Sequence, residues 1–99
     1  MKVEFAAEAI YRLQQIHEFV AADSPSNAVR LIERVIARAE SLAEHAHRGR
    51  QVPEYGREDI REIRERPYRI IYRVTQTAVQ ILTVMHERRL LPGDPKILR

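Results

Sequence analysis

The sequence predicts a single α+β domain of order β-α-α-β-β-β, with an antiparallel helix hairpin packed on one face of a small, mostly antiparallel sheet. Three observations predict it. Apolar residues recur at intervals of three and four from Ala6 to Ala46, which is the period of a helix with one buried face. From Tyr68 to Met85 they recur at every second position, which is the period of a strand. The chain has 99 residues, enough for one domain over 1–99 and too few for a second.

Each element has its own reason. Val3 and Phe5 alternate with Lys2 and Glu4, a short half-buried strand. The first helix is expected over roughly Ala6 to Ala22, with Ala6, Ala9, Ile10, Leu13, Ile16 and Val20 on one side, Phe19 beside them, and Glu8, Arg12, Gln15 and Glu18 on the other. It stops at Asp23-Ser24-Pro25, where Ser24 can cap the next helix and Pro25 suits its first position. The second helix presents Val29, Ile32, Val35, Ile36, Ala39, Leu42, Ala43 and Ala46 on one face. It is expected to run to His47-Arg48-Gly49, with the glycine in the left-handed position past its end. Arg50 to Asp59 reads as a loop. The segment Ile60 to Glu65 fits either a charged edge strand or a helical turn. Pro67 disfavours helix at Arg66, and Tyr68 to Val74 is rich in strand formers. After a turn at Thr75-Gln76-Thr77, Val79 to Met85 is apolar on both faces, as a central strand is. Val79, Ile81, Thr83 and Met85 are expected on one side of it. Residues 90–99 form a tail.

Composition bounds the function. There is no cysteine, which excludes disulfides and thiolate metal sites. The N-terminus carries an acid and no apolar run, so no secretory signal is read there, and no segment reaches the roughly 18 apolar residues of a membrane span. A cytoplasmic protein without membrane contact is expected. The net charge of +3 is uneven: Met1 to Ala46 holds five basic and seven acidic residues, His47 to Arg99 twelve and seven. Fifteen of the seventeen basic residues are arginine, the side chain suited to bidentate contact with carboxylate or phosphate.

Two helices cover one face of a sheet. The row Tyr68, Ile70, Tyr72, Val74 should meet them, leaving Arg69, Ile71 and Arg73 on an uncovered, partly apolar, basic surface. Those arginines can bind phosphate or a partner's carboxylates, or they can pair across the sheet with Glu62, Glu65 or Glu87. At the end of the last strand, His86, Glu87, Arg88 and Arg89 stand together. A histidine for proton transfer and arginines for a phosphorane are what RNA cleavage asks for. Against that, adjacent strand residues point to opposite faces. His45 and His47 flank the second helix's end without a third ligand near in sequence, and His17 reads as a helix-surface residue. No glycine-rich phosphate loop or HExxH motif occurs, and no cofactor or metal is expected.

The stretches VEFAAEAIYRLQQIHEFVA, SPSNAVRLIERVIARAESLAEHAHRGRQVPE, RPYRIIYRV and VQILTVMHERR together resemble the RelE/ParE superfamily of toxins from type II toxin–antitoxin systems. The resemblance runs from about Val3 to Leu91. It implies the fold reached above and a cognate ParD-like antitoxin, whose C-terminal segment orders as it wraps the toxin. Arg69, Ile71 and Arg73 are the residues it implies for antitoxin binding, with the outer groove of the helix hairpin for the antitoxin's amphipathic helix. Two branches are open. A ParE-like toxin inhibits DNA gyrase, with Arg88 and Arg89 as target-binding residues and no catalytic group. A RelE-like toxin cuts mRNA on the ribosome, here with Arg69, His86 and Arg88 as catalytic residues and Glu54 as a stand-in acid. The long helices and the His86-x-Arg88-Arg89 ending look more like ParE. So does the lack of any tyrosine after Tyr72 and of any lysine between Lys2 and Lys96.

Overall fold

A computed structural model describes residues 1–93. Its elements are β1 (Lys2–Phe5), α1 (Ala7–Ala21), α2 (Pro25–Glu40), β2 (Arg50–Gln51), β3 (Ile60–Glu65), β4 (Tyr68–Val74) and β5 (Ala78–His86), with a 3₁₀ turn at Ser41–Ala43. The strands form one sheet in the order β1-β5-β4-β3-β2. Only the β1–β5 pair is parallel, with Val3 opposite Val79; the others are antiparallel. Of the tail expected over 90–99, residues 94–99 lie outside the described residues.

The helix hairpin starts as expected. Ser24 is extended and its hydroxyl accepts from the Asn27 amide, with Pro25 at the first helical position. Its end differs. The α-helix stops at Glu40, and Gly49 does not cap it; Gly56, in the loop before β3, is the glycine with positive φ. The apolar spacing beyond Glu40 persists because Leu42, fully buried, and Ala46 still pack into the core after the helix has tightened into 3₁₀. Spacing reports the buried face, not the hydrogen-bond type.

The principal core lies between helices and sheet. Leu13, Leu31, Val35 and Leu42 meet Ile63, Tyr68, Ile70, Tyr72, Val79, Ile81 and Val84, with Ile16, Val20, Ile32, Ile36 and Val74 packed around them. The row read from Tyr68 to Val74 is thus the helix-facing row.

Three further points correct or complete the reading. Ile60 to Glu65 is a strand, paired along its whole length with β4. The segment after Gly49 contributes a two-residue strand of its own, β2, where a loop was expected. In β5 the alternation breaks: the register shifts opposite Ile71 and Tyr72, so Val79, Ile81 and Val84 face the helices while Leu82 and Met85 face away. An inserted strand residue swaps every later side chain to the other face. The turn before β5 works without glycine because the Thr75 hydroxyl accepts from the Ala78 amide at 3.0 Å, a side-chain substitute for a backbone turn bond.

Candidate functional site

The sheet face opposite the helices is not bare. Ile60, Ile71 and Leu82 from β3, β4 and β5 meet Val52 and Leu91, with Tyr55 and Met85 at the margin. The loop after β2 and the start of the tail therefore form a lid. It is fastened by the Tyr55 hydroxyl, which donates to the Pro92 carbonyl at 2.7 Å. The expectation that Arg69 and Ile71 line an uncovered surface is corrected here: Ile71 is 0% exposed and Arg69 5%. A bare strip of isoleucines in water is costly, and Val52 and Tyr55 from the loop with Leu91 from the start of the tail close it.

Arg69 lies beneath that lid between two carboxylates. Its Nε and Nη2 donate to Glu62 at 2.7 and 3.1 Å. Its Nη1 and Nη2 donate to Glu54 at 3.0 and 3.1 Å. Arg50 approaches Glu62 from β2 at 3.1 Å. Two arginines and two glutamates thus balance in charge, and each Arg69 contact is bidentate, the strongest geometry available to the pair. Burial works against the Arg69 charge, but the hydrogen bonds to Glu62 and Glu54 outweigh it and hold its pKa above the ordinary arginine value. The same Arg69 bonds hold the Glu54 carboxyl below its usual value. An acid kept ionised in this way is a poor proton donor near neutrality.

Of the alternatives for Arg69, pairing with Glu62 is the one the structure takes. Arg73 is less enclosed. Its Nε stands 3.7 Å from Asp59 and makes no hydrogen bond, beside a small cavity of about 180 Å³ that Glu4, Gln80 and Leu82 also line.

The end of β5 is arranged differently. His86 stacks edge-on against Tyr68, ring centroids 5.8 Å apart, and its Nδ1 accepts the Arg88 amide at 3.1 Å. Glu87 turns instead towards Arg64 and Arg66, at 3.5 and 3.7 Å. Arg88 and Arg89 are exposed. The trio Arg69, His86 and Arg88 is therefore not brought together: Arg69 is enclosed under the lid, while His86 packs on Tyr68, which belongs to the helix-side core. Among the described residues no three His, Cys, Asp or Glu side chains converge as a metal site would need. That holds for His45 and His47.

A second candidate surface lies on the hairpin. Between α1 and α2 runs a cavity of about 820 Å³ bordered by Phe5, Ile10, Leu13, His17, Ile32 and Ile36. Ile10 is 47% exposed there, and His17 lies in the groove wall, half-buried, rather than on the open helix surface. Nearby, Phe19 is 78% exposed.

Sequence reasoning did not single out Glu62 as a buried acid or the tight fit at Gly49. A Cβ on Gly49 would collide with the Glu62 carbonyl and the Tyr72 hydroxyl, and the Gly49 amide donates to that hydroxyl at 2.9 Å. The only available signal was a glycine directly before Arg50.

Comparison with known proteins agrees with this geometry. The model of the ParE toxin family of type II toxin–antitoxin systems matches residues 3–91. A putative toxin, Y4kP, from Sinorhizobium fredii is 33% identical over 96 residues, 92% of this chain and 93% of the relative. Toxin RelE3 from Caulobacter vibrioides is 34% identical over 89 residues, 88% of this chain and 97% of the relative. Among solved structures, a chain of the chromosomal ParDE system of P. aeruginosa superposes with a TM-score of 0.73 at 22% identity, covering 87% of this chain and 95% of that one. A chain of the RelBE2 toxin–antitoxin complex of Mycobacterium tuberculosis does so at 0.63 and 26%, covering 86% and 95%.

Proposed function

The chain belongs to the ParE toxin family of type II toxin–antitoxin systems, and on that premise we propose that it inhibits DNA gyrase and is neutralised by a cognate ParD-like antitoxin. The observation that carries this reading is the enclosure of Arg69. An RNA-cleaving site on the sheet needs an arginine free to meet a phosphorane and a neighbouring group free to move a proton. Arg69 spends its donors on Glu62 and Glu54, and no histidine shares its face. An inhibitor needs only a shaped, charged surface, which the exposed Arg88 and Arg89 supply.

The antitoxin's amphipathic helix is assigned to the α1–α2 groove, where Ile10, Leu13 and Ile36 offer apolar anchors. Arg73, partly exposed at the sheet margin beside Asp59, is the sheet residue assigned to meet an acidic antitoxin side chain. Arg69 and Ile71 contribute from below, by fixing the lid whose outer surface a partner touches. Acting on gyrase places the toxin in the cytoplasm, in keeping with the lack, among the described residues, of any helix long and apolar enough to cross a membrane.

The alternative, a RelE-like ribosome-dependent endoribonuclease using Arg69, His86 and Arg88, takes its support from the similarity to toxin RelE3. One purified protein decides between them. Gyrase supercoiling should be inhibited, Arg88→Glu with Arg89→Glu should relieve the inhibition, and mRNA on programmed ribosomes should stay intact. Codon-positioned mRNA cleavage lost in His86→Ala, with supercoiling unaffected, overturns the proposal in favour of the nuclease.

A further inference from the structure

The arginines of this chain fall into two classes. Arg69 is locked at 2.7 Å to its nearest carboxylate oxygen. On the opposite side of β3, where α2 lies over the β3–β4 end, the arginines are loosely held or have no acid at all. Arg34, Arg38 and Arg48 line a shallow depression of about 340 Å³ with Ser41 and Glu65. Arg38 Nε donates to the Arg64 carbonyl and Arg48 to the Ser41 hydroxyl. Among the described residues no carboxylate pairs with Arg30, Arg38 or Arg48. Arg34 stands 3.7 Å from Glu65, beyond the roughly 2.7–2.9 Å of a charge-assisted hydrogen bond, and is 56% exposed.

The helix arranges this deliberately along its length. Arg30, Arg34 and Arg38 recur every four residues and share one stripe, about 12 Å long at 1.5 Å per residue. Glu33 and Glu40 fall outside the stripe at about 100° per residue. Arg48 widens it into a patch. Four arginines, Arg30, Arg34, Arg38 and Arg48, face one nearby carboxylate, Glu65. None of the exposed large apolar side chains (Met1, Ile10, Tyr11, Phe19, Val29, Leu90) lies in the patch. A protein interface is anchored by buried aromatic or aliphatic groups; a surface of exposed guanidinium groups without such an anchor suits a polyanion.

The geometry points to a phosphodiester-binding face: Arg34, Arg38 and Arg48, flanked by Arg30, hold the backbone of duplex DNA without reading its sequence. Over about 12 Å one strand presents three to four phosphates at about 3.4 Å axial rise, which matches the stripe. The assignment does not depend on which target the toxin stalls. Arg38 and Arg48 each keep one light tether, to the Arg64 carbonyl and the Ser41 hydroxyl, and their other donors face out.

The test is fluorescence anisotropy of the purified full chain on a labelled mixed-sequence duplex of about 20 base pairs. Affinity should fall about a hundredfold from 50 to 200 mM salt, as neutralising roughly four phosphates requires. Arg34→Gln with Arg38→Gln should weaken binding at least tenfold at low salt and flatten the salt slope by about 2. Arg34→Lys with Arg38→Lys should keep the slope, since lysine neutralises phosphate too. Lys2→Gln with Arg57→Gln removes the same charge elsewhere and should change little; a far-ultraviolet melt confirms that each variant is folded. Equal losses in the two neutralised pairs, or no duplex binding at 50 mM salt, overturn the proposal. So does a poly-glutamate peptide of matched charge binding as tightly as the duplex, which would make the face a site for acidic protein.

Discussion

The two faces of the sheet are closed by different physics. On the helix side, two regular elements lay Leu13, Leu31, Val35 and Leu42 onto Ile63, Ile70, Tyr72 and Ile81, and stability there scales with apolar area removed from water. On the lid side a smaller apolar set, Ile60, Ile71, Leu82, Val52 and Leu91, adjoins a buried Arg69 that must be fully paired to be tolerated. The first face is forgiving in detail and costly in volume. The second is cheap in volume and unforgiving in charge. A single carboxylate lost there is worth as much as a whole aliphatic side chain on the other side.

The largest expected effect breaks the charged face. Glu62→Ala leaves Arg69 short of its closest acid and should cost about 3–5 kcal/mol in urea unfolding. Replacing both partners, Glu62→Leu with Arg69→Met, should recover most of that loss, because an apolar pair of similar volume needs no compensation. Failure of the double variant to recover would show that the ion pair stabilises in its own right. Leu13→Ala tests the other face and should cost about 2–5 kcal/mol, with no second-site charge change able to rescue it. Tyr55→Phe removes the hydroxyl that donates to Pro92 and should cost about 0.5–1.5 kcal/mol, with faster hydrogen exchange confined to the lid.

The smallest effect is in pH. Glu54 has a folded pKa below its ordinary 4.5, so its contribution is present above 4.5 and is lost as the pH falls from there through the folded value. Glu54→Gln should therefore be flatter than the native chain in stability below about pH 4.5. Parallel curves would mean that its pairing with Arg69 is not made in solution.

This contrast also explains what the sequence could show. The helix side was readable because a periodic pattern is a local property. Ala9, Leu13, Ile16 and Val20 announce a face without knowledge of what covers it, and Ser24-Pro25 announces a start. The lid side was not, because its closure joins residues far apart in the chain. Arg69 meets Glu54 fifteen residues away and Glu62 seven, and Leu91 reaches Val52 across the sheet. Glu62 sits among Arg61, Arg64 and Glu65, so its burial is masked by a segment that reads as a solvated edge. Pairing with Glu62 was one of several acids the alternation allowed, and nothing local selected it. The end of α2 was misplaced for a related reason, since Leu42 keeps the helical spacing after the helix is over. The Met85 and Thr83 side of β5 was misread because a bulge leaves no mark in an apolar run. The expectations of a groove for the antitoxin helix and of target binding by Arg88 and Arg89 come from resemblance and residue type, not from any pattern of spacing.

The strand order has a temporal consequence. β5, the last strand made, lies between β1, the first, and β4, and Val3 waits for Val79. Up to Thr77 a nascent chain has its helix hairpin and β2 to β4, but β4 lacks the neighbour on its other edge and β1 has no neighbour at all. At roughly 5–20 residues per second, the interval between β1 and β5 lasts several seconds, during which no partial product has the finished surface. The sheet therefore closes only when β5 is added between β1 and β4. A chain stopped after residue 77 should show helical signal without a cooperative melt.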